Sequence, residues 1–180
     1  ELDNAALKAL TEHGGRTPAL VITPVPFEKL PEKAQKNLEK AVTFSFNVNG
    51  GGLNFGSGTV TVTLEYTRKA ADTVVVVYYV DDKGDMTKMP GVSFENGKVT
   101  YNTNHFSCYA VTEEAMPFAD VNVDGYYAEA VLWAVANGVT SGTSATTFAP
   151  NATCTRVQAV TFLWRAMGSQ EPTTASSPFT

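Results

Sequence analysis

Between Glu113 and Pro117 the chain changes the period of its apolar residues. Upstream they recur every second position, as in a strand whose side chains point alternately to two faces. Downstream they recur at three and four positions, as on one face of a helix. Composition changes at the same place, from β-branched to alanine-rich. No single regular element satisfies both periods. The chain must therefore build a β-rich module and then a small helical one, an α+β fold.

The β period begins at Val42. Val42, Phe44, Phe46 and Val48 alternate with polar residues, and Val60, Val62, Leu64 and Tyr66 do the same. Thr73 to Val80 is a continuous apolar run and reads as a central strand covered on both faces. Val99 to Tyr101 and His105 to Val111 follow, and Ala19 to Ile22 reads as a further short strand. Gly50-Gly51-Gly52, Asp82-Lys83-Gly84 and Asn96-Gly97 supply the turns. About six short strands with turns between them predict an antiparallel β-sandwich over residues 42–115. Residues 1–41 read as a lead-in: a helix over Leu2 to Glu12, the short strand, a proline-rich connection and a charged surface helix over Lys29 to Lys40.

In the helical part, Tyr127, Ala130, Val131, Ala134 and Val135 form one stripe, and Val157, Val160, Trp164 and Met167 a second. Tyr127 and Trp164 are therefore expected in the core, with Tyr126 and Trp133 partly exposed. The helical unit spans 116–168. Residues 169–180 are rich in Ser, Thr and Pro and read as a linker. Met116-Pro117-Phe118-Ala119 is echoed by Ser177-Pro178-Phe179-Thr180, so the linker is expected to lead into a second copy of the unit.

Composition narrows the function. The 180 residues are 43% hydrophobic and 17% charged, as in a folded protein, with a net charge of −5. No basic patch is available for nucleic acid or an anionic membrane, and no run approaches the roughly 18 apolar residues of a membrane helix. Neither nucleic-acid binding nor membrane insertion is expected. Glu1-Leu2-Asp3-Asn4 is not the start of a signal peptide, which a mature secreted chain would also lack. Cys108 and Cys154 both fall in periodic segments and read as buried structural thiols, with a disulfide as the alternative. Two cysteines and two histidines so scattered do not make a zinc site, and no cofactor is implied.

Three constellations are candidates for chemistry. Thr155 and Gln158 have capping-box spacing, which puts Arg156 at the first helical position. A cation there opposes the helix dipole by about 0.3–1 kcal/mol. An external anion would resolve the conflict, since the free N–H groups and the guanidinium converge on it. A salt bridge from Arg156 to Asp120 or Asp124 would resolve it as well. Asp120-Val121-Asn122-Val123-Asp124-Gly125 matches the first half of a calcium loop, but Ala128 and Val131 stand where the later ligands belong, which leaves a turn before a helix. His105-Phe106-Ser107 resembles the cleavage site of self-cleaving β domains, in which the serine hydroxyl attacks the preceding carbonyl. The same residues also occur in strands that never cleave. No catalytic triad or phosphate loop accompanies them, so no turnover enzyme is expected.

Phe118 to Gly168 resembles the S-layer homology domain. The residues that carry the likeness are Phe118-Ala119-Asp120-Val121, Tyr126-Tyr127, Gly138 to Gly142, Phe148-Ala149-Pro150 and Thr155-Arg156-Val157-Gln158. Tyr126 stands where the family usually has Trp, and Gln158 where it usually has Glu. More loosely, residues 55–62, 77–81 and 105–111 are similar to the β modules that precede such repeats in large surface proteins of Gram-positive bacteria. The resemblance implies a secreted, non-catalytic protein at the cell surface, held to a secondary cell-wall polysaccharide that often carries anionic pyruvyl groups. It implies partner repeats in the same or another chain, since binding grooves form between repeats. Carried onto this sequence, Arg156 and Thr155 meet the anion, Asp120 and Tyr126 line or brace the site, and Gly142 lets the sugar approach the backbone. The β module would be structural or adhesive. The alternatives are self-cleavage at Phe106–Ser107, or an adhesion or assembly protein for which the repeat is only a tether.

Overall fold

A computed structural model describes residues 1–14, 17–38 and 41–171, without the side chains of residues 13 and 14. The predicted echo at 177–180 and most of the linker lie outside the described residues. The chain divides into two compact units, Glu1–Ala115 and a second beginning at Met116.

The first unit is an antiparallel sandwich. Its strands are β1 (Leu20–Pro24), β2 (Val42–Val48), β3 (Val60–Glu65), β4 (Thr73–Val80), β5 (Met86–Lys88), β6 (Ser93–Glu95), β7 (Lys98–Thr103) and β8 (Cys108–Ala115). One sheet has the order β1-β2-β8-β4-β5, the other β3-β7-β6. The alternating side chains meet between the sheets: Phe44 and Phe46 from β2, Val60 and Val62 from β3, Val75 and Val77 from β4, Val99 and Tyr101 from β7, and Tyr109 and Val111 from β8. Phe106 stacks on Phe46 at 5.4 Å between centroids and meets Phe55 edge-on at 4.8 Å. Asn96 and Gly97 both adopt positive φ, 51° and 73°, between the paired residues Glu95 and Lys98. Such a turn matches the right-handed twist of the strands it joins.

The first 41 residues are integral to this unit. Helix α1 (Asn4–Gly14) places Ala6 in the main core, with Leu2 and Leu10 against it. Helix α2 (Glu32–Leu38) was expected to be a surface helix of few apolar residues; it buries Ala34 and Leu38, with Leu30, on Val80 and Ala110 of the outer sheet face. β4 is buried on both faces, as its apolar run requires, and lies inside the sheet between β8 and β5. The strand predicted from His105 begins only at Cys108. Residue 105 instead bridges Asn54, and Phe106 N–H donates to Leu53 O at 2.7 Å. His105 and Ser107 thus precede the strand rather than sharing one of its faces.

The second unit holds α3 (Ala128–Ala136) and α4 (Arg156–Ala166), joined by a long connection. Its buried apolar residues are Phe118, Val121, Ala128, Val131, Leu132 and Val139. The inward face of α3 is therefore shifted from the predicted stripe: Ala130 is exposed, while Ala128 and Leu132 are buried. The departure at α4 is larger. Val157, Val160, Leu163, Trp164 and Met167 are exposed, Trp164 by 46% and Val157 by 77%. The inner side of α4 is instead its more polar one, where Thr161 and Phe162 are half-buried. Trp164 is therefore not a core residue. Both cysteines are free; Cys108 is half-buried, but Cys154 lies exposed before α4, outside any periodic segment.

Candidate functional site

Asp120 is the residue around which the loops of the second unit are tied. Its carboxylate accepts the N–H of Phe148 at 2.9 Å and of Ala149 at 2.7 Å. Ala149 sits at φ 61°, a conformation unfavourable for a residue with a Cβ and more so before Pro150. The Asp120 bonds hold the chain in it. The Phe148 N–H draws the Asp120 pKa below its ordinary value; slight burial opposes this and the Ala149 N–H adds to it. Ala119 N–H donates to Thr146 O, so the same loop is tied twice.

Gly142 lies beneath this arrangement. Its φ is 78°, and a Cβ there would come within 2.5 Å of Phe118 Cε1 and 2.7 Å of Thr147 O. The close approach that requires glycine is therefore that of the Phe118 ring and the loop backbone. Phe118 and Phe148 rings lie 5.5 Å apart.

The start of α4 is built as its spacing predicts. Thr155 Oγ1 accepts the Gln158 N–H at 3.2 Å, and Gln158 Oε1 accepts the Thr155 N–H at 2.9 Å. The Thr155 hydroxyl also donates to Gln158 Oε1, so it is engaged within the cap. Backbone N–H groups in the first turn still have no helical partner. Arg156 is exposed, and among the described residues it has no ion pair; Asp120 is already taken by the loop. The salt bridge that would have neutralised Arg156 from within is not formed.

Tyr126 is 99% exposed, in edge-to-face contact with Tyr127 at 5.3 Å. A cleft of about 520 Å³ lies between the end of α3, the following loop and the inner side of α4. Gly142, Cys154, Gln158 and Arg165 are on its wall; Arg156, Thr155, Tyr126 and Asp120 are not. The fold therefore does not gather the predicted residues into one pocket. Asp120 and Gly142 shape the loop, Thr155 shapes the helix start, and Arg156 and Tyr126 are left free to meet a ligand.

Arg165 was missed by sequence reasoning. It donates to Val139 O at 3.1 Å and brings a guanidinium to the cleft. It stands in the last turn of α4, where a cation suits the helix dipole, so its spacing carries no signal of a site. His105 and Ser107 lie in the first unit. The His105 ring packs edge-on to Tyr79 at 4.7 Å and lies 3.0 Å from Asn104 Oδ1, and burial lowers its pKa. Ser107 gives its carbonyl to Phe46 N–H.

Residues 117–160 match the S-layer homology domain. The chain is also 27% identical, over 116 residues, to an amylopullulanase of Thermoanaerobacterium thermosulfurigenes; this is 63% of the chain but 6% of that relative. No solved structure matches. The chain thus carries an S-layer homology domain, a module of the cell surface that anchors proteins to the cell wall. No helix among the described residues is long and apolar enough to cross a membrane.

Proposed function

We propose that the chain is part of a secreted, non-catalytic surface protein whose second unit holds an anionic, pyruvylated cell-wall polysaccharide through Arg156. The observation that carries this reading is the free guanidinium on the first turn of α4. Helix electrostatics alone disfavour a cation there, whereas a bound carboxylate would be met by both the guanidinium and the unpaired N–H groups. Gln158 sharpens the case. It closes the capping box as a glutamate would, but adds no negative charge beside Arg156. Exposed Tyr126 offers a face on which a sugar ring can stack. Asp120 and Gly142 act by holding the loop, not by touching the ligand.

The exposed stripe of α4 supports the expectation of partner repeats. A stripe from Val157 to Met167 that stays largely in solvent suits a neighbouring helix of the same kind. The β unit is the structural or adhesive part. A titration of the chain with a pyruvylated wall disaccharide, followed by NMR, tests the site. Shifts centred on Arg156, Val157 and Tyr126, absent with the pyruvate-free sugar, are expected. Shifts confined to the cleft around Arg165 would move the site there.

A further inference from the structure

The two sheets have outer edges that are protected unequally. The outer edge of β3 is covered by the chain start: Leu2 bridges Val60, and Asp3 N–H donates to Thr59 O. β5 and β6 are three residues each, and they carry Lys88 and Glu95. Short length, charge and proline are the usual means of keeping an edge from pairing. β1 lacks the first two, and its prolines stand only at its ends, Pro24 and the flanking Pro18. It runs for five residues without a charge, and Leu20, Val21 and Ile22 are 47%, 48% and 52% exposed. Among the described residues no strand lies on its outer side.

The hydrogen-bond pattern fixes what that edge offers. Ala19 O accepts from Asn49 N–H and Val25 N–H donates to Thr43 O, so the odd-numbered residues of β1 face β2. The even-numbered ones face outward. Of these, Pro18 and Pro24 have no N–H, which leaves Leu20 and Ile22 as the outward donors.

We propose that β1 pairs with β1 of a second copy of this chain, antiparallel and centred on Val21. In that register Leu20 of each copy faces Ile22 of the other, and each such pair exchanges both of its bonds. The next outward positions set Pro18 against Pro24, so the ladder ends where neither chain has a donor to strand. Sliding the strands to the neighbouring hydrogen-bonding registers puts a proline opposite Leu20 or Ile22, where only one of the two bonds can form. An uncharged strand also meets itself without like-charge repulsion, and the apolar side chains on each of its faces gain a cross-strand neighbour. The inference is independent of wall binding.

The two Val21 residues would form a non-hydrogen-bonded pair, with Cβ atoms about 4.5–5.5 Å apart, the closest facing pair of such a ladder. The test uses the full chain with Cys154→Ser as background. Val21→Cys is expected to give a disulfide-linked dimer under mild oxidation, and Thr23→Cys is not. Without added cysteines, sedimentation is expected to give twice the 19.3 kDa chain mass. Val21→Lys is expected to return it to the single-chain mass with an unchanged circular dichroism spectrum. A chain that is monomeric at every concentration and is not cross-linked at residue 21 overturns the proposal, as it would if the partner were a strand of another protein. Equal cross-linking at 21 and 23, or a dimer that survives Val21→Lys, also overturns it, the latter pointing to the α4 stripe instead.

Discussion

The two units spend their apolar residues differently. In the first, two sheets, α1 and α2 enclose an aromatic-rich core, and Tyr101 and Tyr109 are almost wholly buried. In the second, a few side chains around Phe118 and Leu132 are buried, while the apolar face of α4 is in solvent. A helix gains most of its stability from packing an apolar face. The sandwich is therefore complete in itself, whereas α4 is held by its capping box, its loop and the Arg165–Val139 bond.

Substitutions should separate the two. Phe46→Ala, in the sandwich core, is expected to cost about 3–5 kcal/mol, read by urea unfolding of the first unit. Trp164→Ala should cost far less, about 0.5–1.5 kcal/mol, because the side chain is half-exposed and loses chiefly the bond from its Nε1–H to Gln170 O. If the two costs were equal, the contrast would collapse.

Gly142→Ala comes next. The new Cβ meets Phe118 and Thr147 O at a positive φ, so a loss of about 1–3 kcal/mol is expected in the second unit alone. Hydrogen exchange of residues 118–150 should report it while the sandwich amides stay protected. Loosening of both units would mean that they unfold as one.

Glu113 gives an effect of the same order in the first unit. Its carboxylate accepts from Tyr66 OH, Thr73 Oγ1 and the N–H groups of Lys69 and Ala70, pinning the connection between β3 and β4. Burial would raise its pKa, but these bonds outweigh burial and lower it. Glu113→Ala is expected to cost about 1–3 kcal/mol. Asp120 has the same sign in the second unit. Both carboxylates have a folded pKa below the unfolded one, so their stabilisation is full above the ordinary carboxylate range of about 4 and is lost as pH falls through the lowered values. An acid titration should loosen residues 146–150 in the wild type and leave Asp120→Asn, already loosened, little changed. Equal responses would show that Asp120 is not the tie.

What the sequence made legible follows the same division. Strong alternation in β2 and β3, the continuous apolar run of β4 and the Asn96-Gly97 turn announced a sandwich because pattern and packing agree there. β5 and β6 were silent, since three residues cannot display a period. The α4 cap was readable from Thr155 and Gln158 because it is local. The roles of Asp120 and Gly142 were not, since Phe148 and Phe118 reach them through the fold and not through spacing. Trp164 misled for the opposite reason: its stripe is real, but its own unit leaves much of it in solvent.

The proposal that Arg156 is the wall contact is tested most directly by co-sedimentation with purified wall sacculi. The chain, joined to further repeats if needed, should pellet with pyruvylated walls and far less with pyruvate-free ones. Arg156→Ala should stay in the supernatant, while Trp133→Ala, at an exposed site, should pellet as the wild type does. Pelleting of Arg156→Ala at the wild-type level would contradict the account.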